Sequence, residues 1–286
     1  MKGLVSADRF QISKSLDRNT AERLCDKANL KVIQLFDYKP DEETLENLNQ
    51  ILFRARKDLT LRVYHHLNLW SDVSFINHLP ELERFDWDSN SFDSFKPLYK
   101  LKNLVHLGLG DWGQRKHKTS LSFLKDFNKT LESINLQGDY KDLINTLPNL
   151  KQLKNVRFIS TKLSNFDFLK NLPIKTFGNY GSRVESFEYL KNLTGLKKIR
   201  IKTNTKIESI DFIEDLYNLE EIELLYLSKI TKIPELSQVK KLRKFFIFEC
   251  NRIEDIEELK HLKDCSVYVS GKMIKGTYYK NENFNW

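Results

Sequence analysis

Cysteine is scarce in this 286-residue chain: Cys25, Cys250 and Cys265 are odd in number and show no Cys-x-x-Cys spacing. Neither a disulfide framework nor a tetrahedral zinc cage can be built from that set, so a reduced, cytoplasmic protein is expected. Six prolines and ten glycines are too few for long linkers or a low-complexity region. No run approaches the roughly 18 apolar residues of a membrane span. Residues 1–18 also lack the apolar stretch of about 7–15 residues found in a secretory signal. The motifs of enzyme chemistry are missing too. There is no Walker loop, no Gly-x-Gly-x-x-Gly, no His-Glu-x-x-His and no Gly-x-Ser-x-Gly. The expectation is a protein with no cofactor, no metal and no catalytic residues.

What is abundant is leucine at a fixed spacing. The pattern L-x-x-L-x-L, with Ile, Phe, Val, Trp or Cys as substitutes, starts at Leu82, Leu104, Leu131, Leu153, Ile174, Leu196, Leu219, Leu242 and Leu262. Successive starts differ by 22, 27, 22, 21, 22, 23, 23 and 20 residues. A period of about 20–29 residues with this signature specifies stacked units that share one continuous core. Within each unit the pattern predicts a short strand whose later apolar residues point inward, because strand side chains alternate between faces. The second half steps in threes, as in Ile207, Ile210, Ile213, Leu216 and Leu219, which suits 3-10 or one-turn returns.

These segments resemble the 22-residue class of leucine-rich repeats of bacterial internalins and of a phosphatase-regulating solenoid. The resemblance implies an α/β solenoid: a right-handed superhelix with a parallel concave sheet and short helical or 3-10 returns on the convex face. It also implies a buried asparagine ladder just past each strand, a place held here by Asn204 and by Cys250. The expected organisation is an N-terminal α/β cap with the first rungs over residues 1–64, repeats over 65–267, and a C-terminal cap or tail over 268–286. In the cap, a short helix over 20–28 presents Leu24 and Cys25. Leu30, Ile33 and Leu35 carry a strand, and Asp41 caps a helix to about Lys57 that buries Leu45, Leu48, Leu52 and Ala55. A hairpin of 267–270 with 273–274 is expected to close the far end.

The register of the motif predicts which residues face outward, at its third, fifth and seventh positions. The seventh reads Asp88, Gly110, Gln137, Ile159, Tyr180, Lys202, Leu225, Phe248 and Tyr268, so five of the last six are apolar or aromatic. With Phe246 at a fifth position they predict a partner-binding stripe in the C-terminal half. Lys198, Arg200 and Lys202 lie on one rung and Glu221 and Glu223 on the next. Strands about 4.8 Å apart would then pair Lys198 with Glu221 and Arg200 with Glu223. The long repeat after Leu104 inserts a basic loop, 111–118, in which Trp112 is a further candidate contact. His65, His66, His78, His106, His117 and His261 are scattered, and Asp86 and Asp88 are two carboxylates on one strand face without further oxygen ligands.

By resemblance, the expected function is non-catalytic binding of another protein through the concave face, in a bacterial adaptor or in an inhibitor or immunity-like protein that is monomeric when unbound. The runner-up is nucleic-acid binding through the 111–118 loop, consistent with a net charge of +8. Acids interrupting the outward face count against it, since phosphate tracking wants continuous positive charge.

Overall fold

The computed structural model describes residues 3–65, 71–89, 94–110, 119–262, 264–269 and 279–280. The chain divides into two compact units, residues 1–143 and 144–286, built on one plan: a short strand, a tight turn, and a return lined by apolar residues.

In the first unit the strands are β1 (Leu4–Ser6), β2 (Arg9–Ile12), β3 (Val32–Phe36), β4 (Thr60–His65), β5 (Arg84–Ser89), β6 (His106–Gly110) and β7 (Ser133–Gln137). β1 folds back antiparallel on β2, and β2 through β7 pair in parallel in chain order. The second unit carries β8 (Asn155–Ile159), β9 (Thr176–Tyr180), β10 (Lys198–Asn204), β11 (Glu221–Leu227), β12 (Lys244–Phe248) and β13 (Ser266–Val269), again parallel in order, with β14 (Tyr279–Lys280) antiparallel at the end. The fold is a leucine-rich-repeat solenoid. Its returns are 3-10 turns, among them Ser74–His78, Glu188–Asn192, Asp211–Asp215 and Glu257–His261, as the three-residue apolar step dictates.

Inward-facing residues of adjacent strands stack in register, for example Phe177 on Ile199 on Ile222 on Phe245, all buried. In the second unit a phenylalanine spine runs beneath them. Phe158 lies 4.6 Å from Phe166, Phe166 5.4 Å from Phe177, and Phe187 6.0 Å from Phe177 and 6.2 Å from Phe212, centroid to centroid. Truncating one such ring to alanine costs about 3–5 kcal/mol. The ladder position is buried as the resemblance implies. Asn204 donates to Val184 O at 2.9 Å and accepts from the amides of Lys206 and Ile207 at 2.7 and 3.0 Å. Cys250 fills the same place with its sulfur, and burial pushes its thiol up to about 11.

Three local expectations need correction. β1 and β2 precede the first predicted strand; only Phe10 and Ile12 mark β2, too few for the repeat pattern. The cap helices form at α1 (Arg18–Cys25) and α2 (Glu42–Asn47), with Asp17 and Asp41 as N-caps. The second continues as a π-helical turn, Leu48–Phe53. Its wider turn carries Phe53 into the core and leaves Ala55 exposed, against expectation. Last, β13 pairs Phe246 with Tyr268 and Ile247 with Val269. Tyr268 is therefore at a fifth position, not a seventh. Leu262 still closes its return turn, its amide bonding Leu259 O at 3.2 Å, but two extra residues separate it from the strand. The antiparallel partner of β13 is β14 at Tyr279–Lys280; the expected partner segment 273–274 lies outside the described residues.

Candidate functional site

On the second unit, parallel register sorts the outward side chains into three rows. Asn155, Thr176, Lys198, Glu221, Lys244 and Ser266 form the first. Arg157, Gly178, Arg200, Glu223, Phe246 and Tyr268 form the second, and Ile159, Tyr180, Lys202, Leu225 and Phe248 the third. The strands thus bring onto one face every candidate contact residue predicted from sequence except Trp112, which lies outside the described residues together with Arg115, Lys116 and Lys118.

Charges pair across rungs as the register requires. Lys198 meets Glu221 at 2.7 Å, and Glu223 accepts from Arg200 at 2.9 Å and from Lys244 at 2.7 Å. Such exposed pairs contribute about 0.2–1 kcal/mol each. The next cation outward has a different environment. Arg157 and Arg200 flank the ring of Tyr180, with their guanidinium carbons 5.5 and 5.4 Å from its centroid. Gly178 lies directly between the two arginines in register. A Cβ there would make an ordinary contact with Tyr180 Cε1 at 3.6 Å and a slightly tight one with Arg157 Cγ at 3.3 Å, so glycine spares the Arg157 side chain a small shift. Arg157 and Lys202 have no carboxylate partner among the described residues; each is held only over an aromatic ring.

Aromatic rings continue the face. Phe246 stacks on Tyr268 at 4.8 Å and 13°, and on Phe248 at 6.3 Å and 15°. Phe248 meets the edge of Tyr226 at 5.5 Å and 80°. Lys202 Nζ lies 5.9 Å from the Tyr226 ring and Lys244 Nζ 5.8 Å from that of Phe246. Tyr268 (3%) and Leu225 (9%) are buried, so of the predicted stripe they act as support rather than as contacts. Tyr226, at 44% exposure, is the outermost ring.

Sequence reasoning missed Arg157 and Tyr226. The same count from the motif start reaches Arg157 at a fifth position. Tyr226 falls one residue past the seventh, where the backbone turns left-handed: φ is 51° at Ser160, 66° at Gly181, 55° at Thr203, 55° at Tyr226 and 54° at Glu249. An aromatic residue there is strained by roughly 1–2 kcal/mol relative to glycine.

The first unit has a different surface. Gln34 donates to Gln11 at 3.3 Å, Arg62 donates to Gln34 at 3.0 Å and pairs with Asp88, and its guanidinium lies 4.6 Å from the Tyr64 ring. His106 is wedged between Asp86 Oδ1 at Nε2 and Ser133 Oγ at Nδ1, both at 2.9 Å. The trio has the residue types of a hydrolytic triad. The neighbouring amides of Glu132 and Ser133 both donate to Val105 O. The arrangement satisfies a buried imidazole, and Asp86 and Asp88 are engaged by His106 and Arg62 respectively. His78 is exposed on its 3-10 turn. His66 and His117 lie outside the described residues.

No family model matches the chain, and no curated protein matches it. Solved structures do. An internalin of Listeria monocytogenes superposes with a TM-score of 0.53 at 16% identity, over 90% of this chain and 85% of that one. A leucine-rich-repeat protein of Leptospira interrogans gives 0.50 at 18%, over 91% and 71%. The ectodomain of a plant receptor kinase of Arabidopsis thaliana, solved with CASPARIAN STRIP INTEGRITY FACTOR 2, gives 0.52 at 14%, over 92% and 35%. Among the described residues no helix is long and apolar enough to cross a membrane. Repeat period, strand register, buried ladder and these likenesses agree on one statement: the chain has the leucine-rich-repeat fold.

Proposed function

We propose that this protein is a non-catalytic protein-binding module of the cytoplasm, an adaptor or an inhibitor, that engages its partner on the concave, outward face of the second unit. The observation that carries the reading is the exposed, strained Tyr226 leaning on Phe248, with Lys202 beside it. Aromatic rings flanked by cations are the residue types that dominate binding energy at interfaces, and among the rungs that share this left-handed turn Tyr226 places a large ring there at 44% exposure. The plant receptor kinase that shares the fold was solved with a bound factor, which fits a fold used for binding. Lys198, Arg200, Glu221 and Glu223 set orientation, and Ile159 and Tyr180 extend the contact.

The test is cross-linking of the purified protein in lysate of its source cells, followed by mass spectrometry. Cross-links to one protein through Lys198, Lys202 or Lys244, lost in the Tyr226→Asn/Phe248→Ala variant, are expected. Cross-links that fall elsewhere, or that persist in the variant, would refute the site.

A further inference from the structure

The outward face of the second unit has two chemically distinct halves. Strands β8 to β10 present four cations, Arg157, Lys198, Arg200 and Lys202, and no carboxylate at their outward positions. Strands β11 and β12 supply the rings of Tyr226, Phe248 and Phe246. Glu221 and Glu223 stand at the seam, already occupied by Lys198, Arg200 and Lys244.

Two of the cations are left without an acid. A guanidinium that meets only a ring keeps N–H donors that can receive a carboxylate, bidentately where the geometry allows. Arg157 is exposed with its guanidinium carbon 5.5 Å from the centre of the Tyr180 ring, and Lys202 Nζ lies 5.9 Å from that of Tyr226. The rings thereby preorganise two positive groups at fixed positions and lower the entropy cost of capturing an anion. The rings of Phe248 and Tyr226 adjoin them, carried beside Lys202 over the buried Leu225, which is the register neighbour of Lys202 on one side and of Phe248 on the other.

Resting on the binding reading above, we propose the class of partner: an acidic protein segment that places Asp or Glu side chains on Arg157 and Lys202 and a large apolar side chain against Tyr226 and Phe248. A nucleic-acid strand fits this face less well, because Glu221 and Glu223 interrupt the path its phosphates would follow.

Selection of short random peptides displayed against the immobilised protein tests this directly. Wild type is expected to enrich peptides combining several Asp or Glu with one Leu, Phe or Trp. Their affinity should fall by about tenfold in Arg157→Glu/Lys202→Glu and by a similar factor between about 50 and 200 mM salt. The charge-reversed protein, re-selected, should enrich Lys and Arg in their place. Phe248→Ala should remove the apolar enrichment and keep the acidic one. Circular dichroism verifies that each variant is folded. Enrichment without acidic bias, no enrichment at all, or unchanged affinity in the charge-reversed variant overturns the proposal. So does tighter binding of an oligouridylate than of any selected peptide. If the cross-links described above still map to this face, the binding reading stands while the acidic-partner inference fails; if selected peptides cross-link elsewhere, the face itself is wrong.

Discussion

Asn204 donates its side-chain amide to the carbonyl of Val184 across 20 residues of chain, at 2.9 Å, from a fully buried position. One residue thereby ties the turn after β10 to the return of the preceding rung, and its Oδ1 also caps the amides of Lys206 and Ile207.

Asn204→Ala leaves one carbonyl and two amides unmatched, in a place where water has no easy access. We expect a loss of about 2–3 kcal/mol in unfolding free energy, read from the midpoint of a urea titration at unchanged slope. A loss below about 0.5 kcal/mol would mean that these groups find other partners.

Tyr226 separates stability from binding. Asparagine tolerates the left-handed backbone, so Tyr226→Asn relieves strain while it forfeits the edge-on contact with Phe248. These two effects are of similar size and opposite sign, about 1–2 and 0.5–1.5 kcal/mol. The denaturation midpoint should therefore move little, while cross-linking to the partner is lost. A large drop in stability would make the ring a structural element.

The thiols differ by burial. It raises all three above the usual cysteine value, to about 11 at Cys250 and about 12 at Cys265. Cys25, also raised mainly by burial, is only partly covered. An aromatic disulfide reagent near pH 8 should titrate one thiol of the native protein and three after denaturation, because the thiolate is the reacting species. Fast reaction of Cys250 or Cys265 would show that their rungs open.

Acid should weaken the N-terminal cap. Burial works to raise Asp41, but hydrogen bonds from Thr44 and neighbours outweigh it and hold the carboxyl at about 2. A folded value below the unfolded one of about 3.9 contributes stability that is present above that pH and is lost as pH falls toward 2. Asp58, which accepts from Arg56 and Lys31, adds to the loss with the same sign. Asp41→Asn keeps a capping side chain but cannot titrate. The stability gap between wild type and this variant should shrink between about pH 4 and 2, as measured by thermal unfolding.

Much of this was legible in the sequence because a parallel repeat has few freedoms. Once Leu196 and Leu219 are aligned, Lys198 must face Glu221 and Arg200 must face Glu223, and both pairs form. The last rung escaped the count for a definite reason. Cys265, Val267 and Val269 alternate with equal parity, so two registers offer the same apolar face, and the pairing of Ile247 with Val269 selects between them. The π turn at Leu48–Phe53 escaped because apolar spacing specifies a stripe, and Leu48 with either Phe53 or Leu52 makes one. Tyr226 escaped because its role depends on a backbone angle. Of the trio Asp86, His106 and Ser133, the pairing rule reaches His106 with Ser133, which are direct register partners. Asp86 is opposite Gly108 and reaches His106 diagonally, so that contact could not be predicted from direct pairing.

The left-handed residue at or beside the end of each of β8 to β12 has a consequence for how such a surface can change. At Ser160, Gly181, Thr203, Tyr226 and Glu249 the positive φ takes the residue out of the paired rows and none of the five is buried, so the side chain there carries little of the core's packing. These five sites form a column beside a scaffold of buried strand residues. Exchanging residues along it would retarget the face to a new partner at little risk to folding, and a library confined to those positions is the economical way to do so.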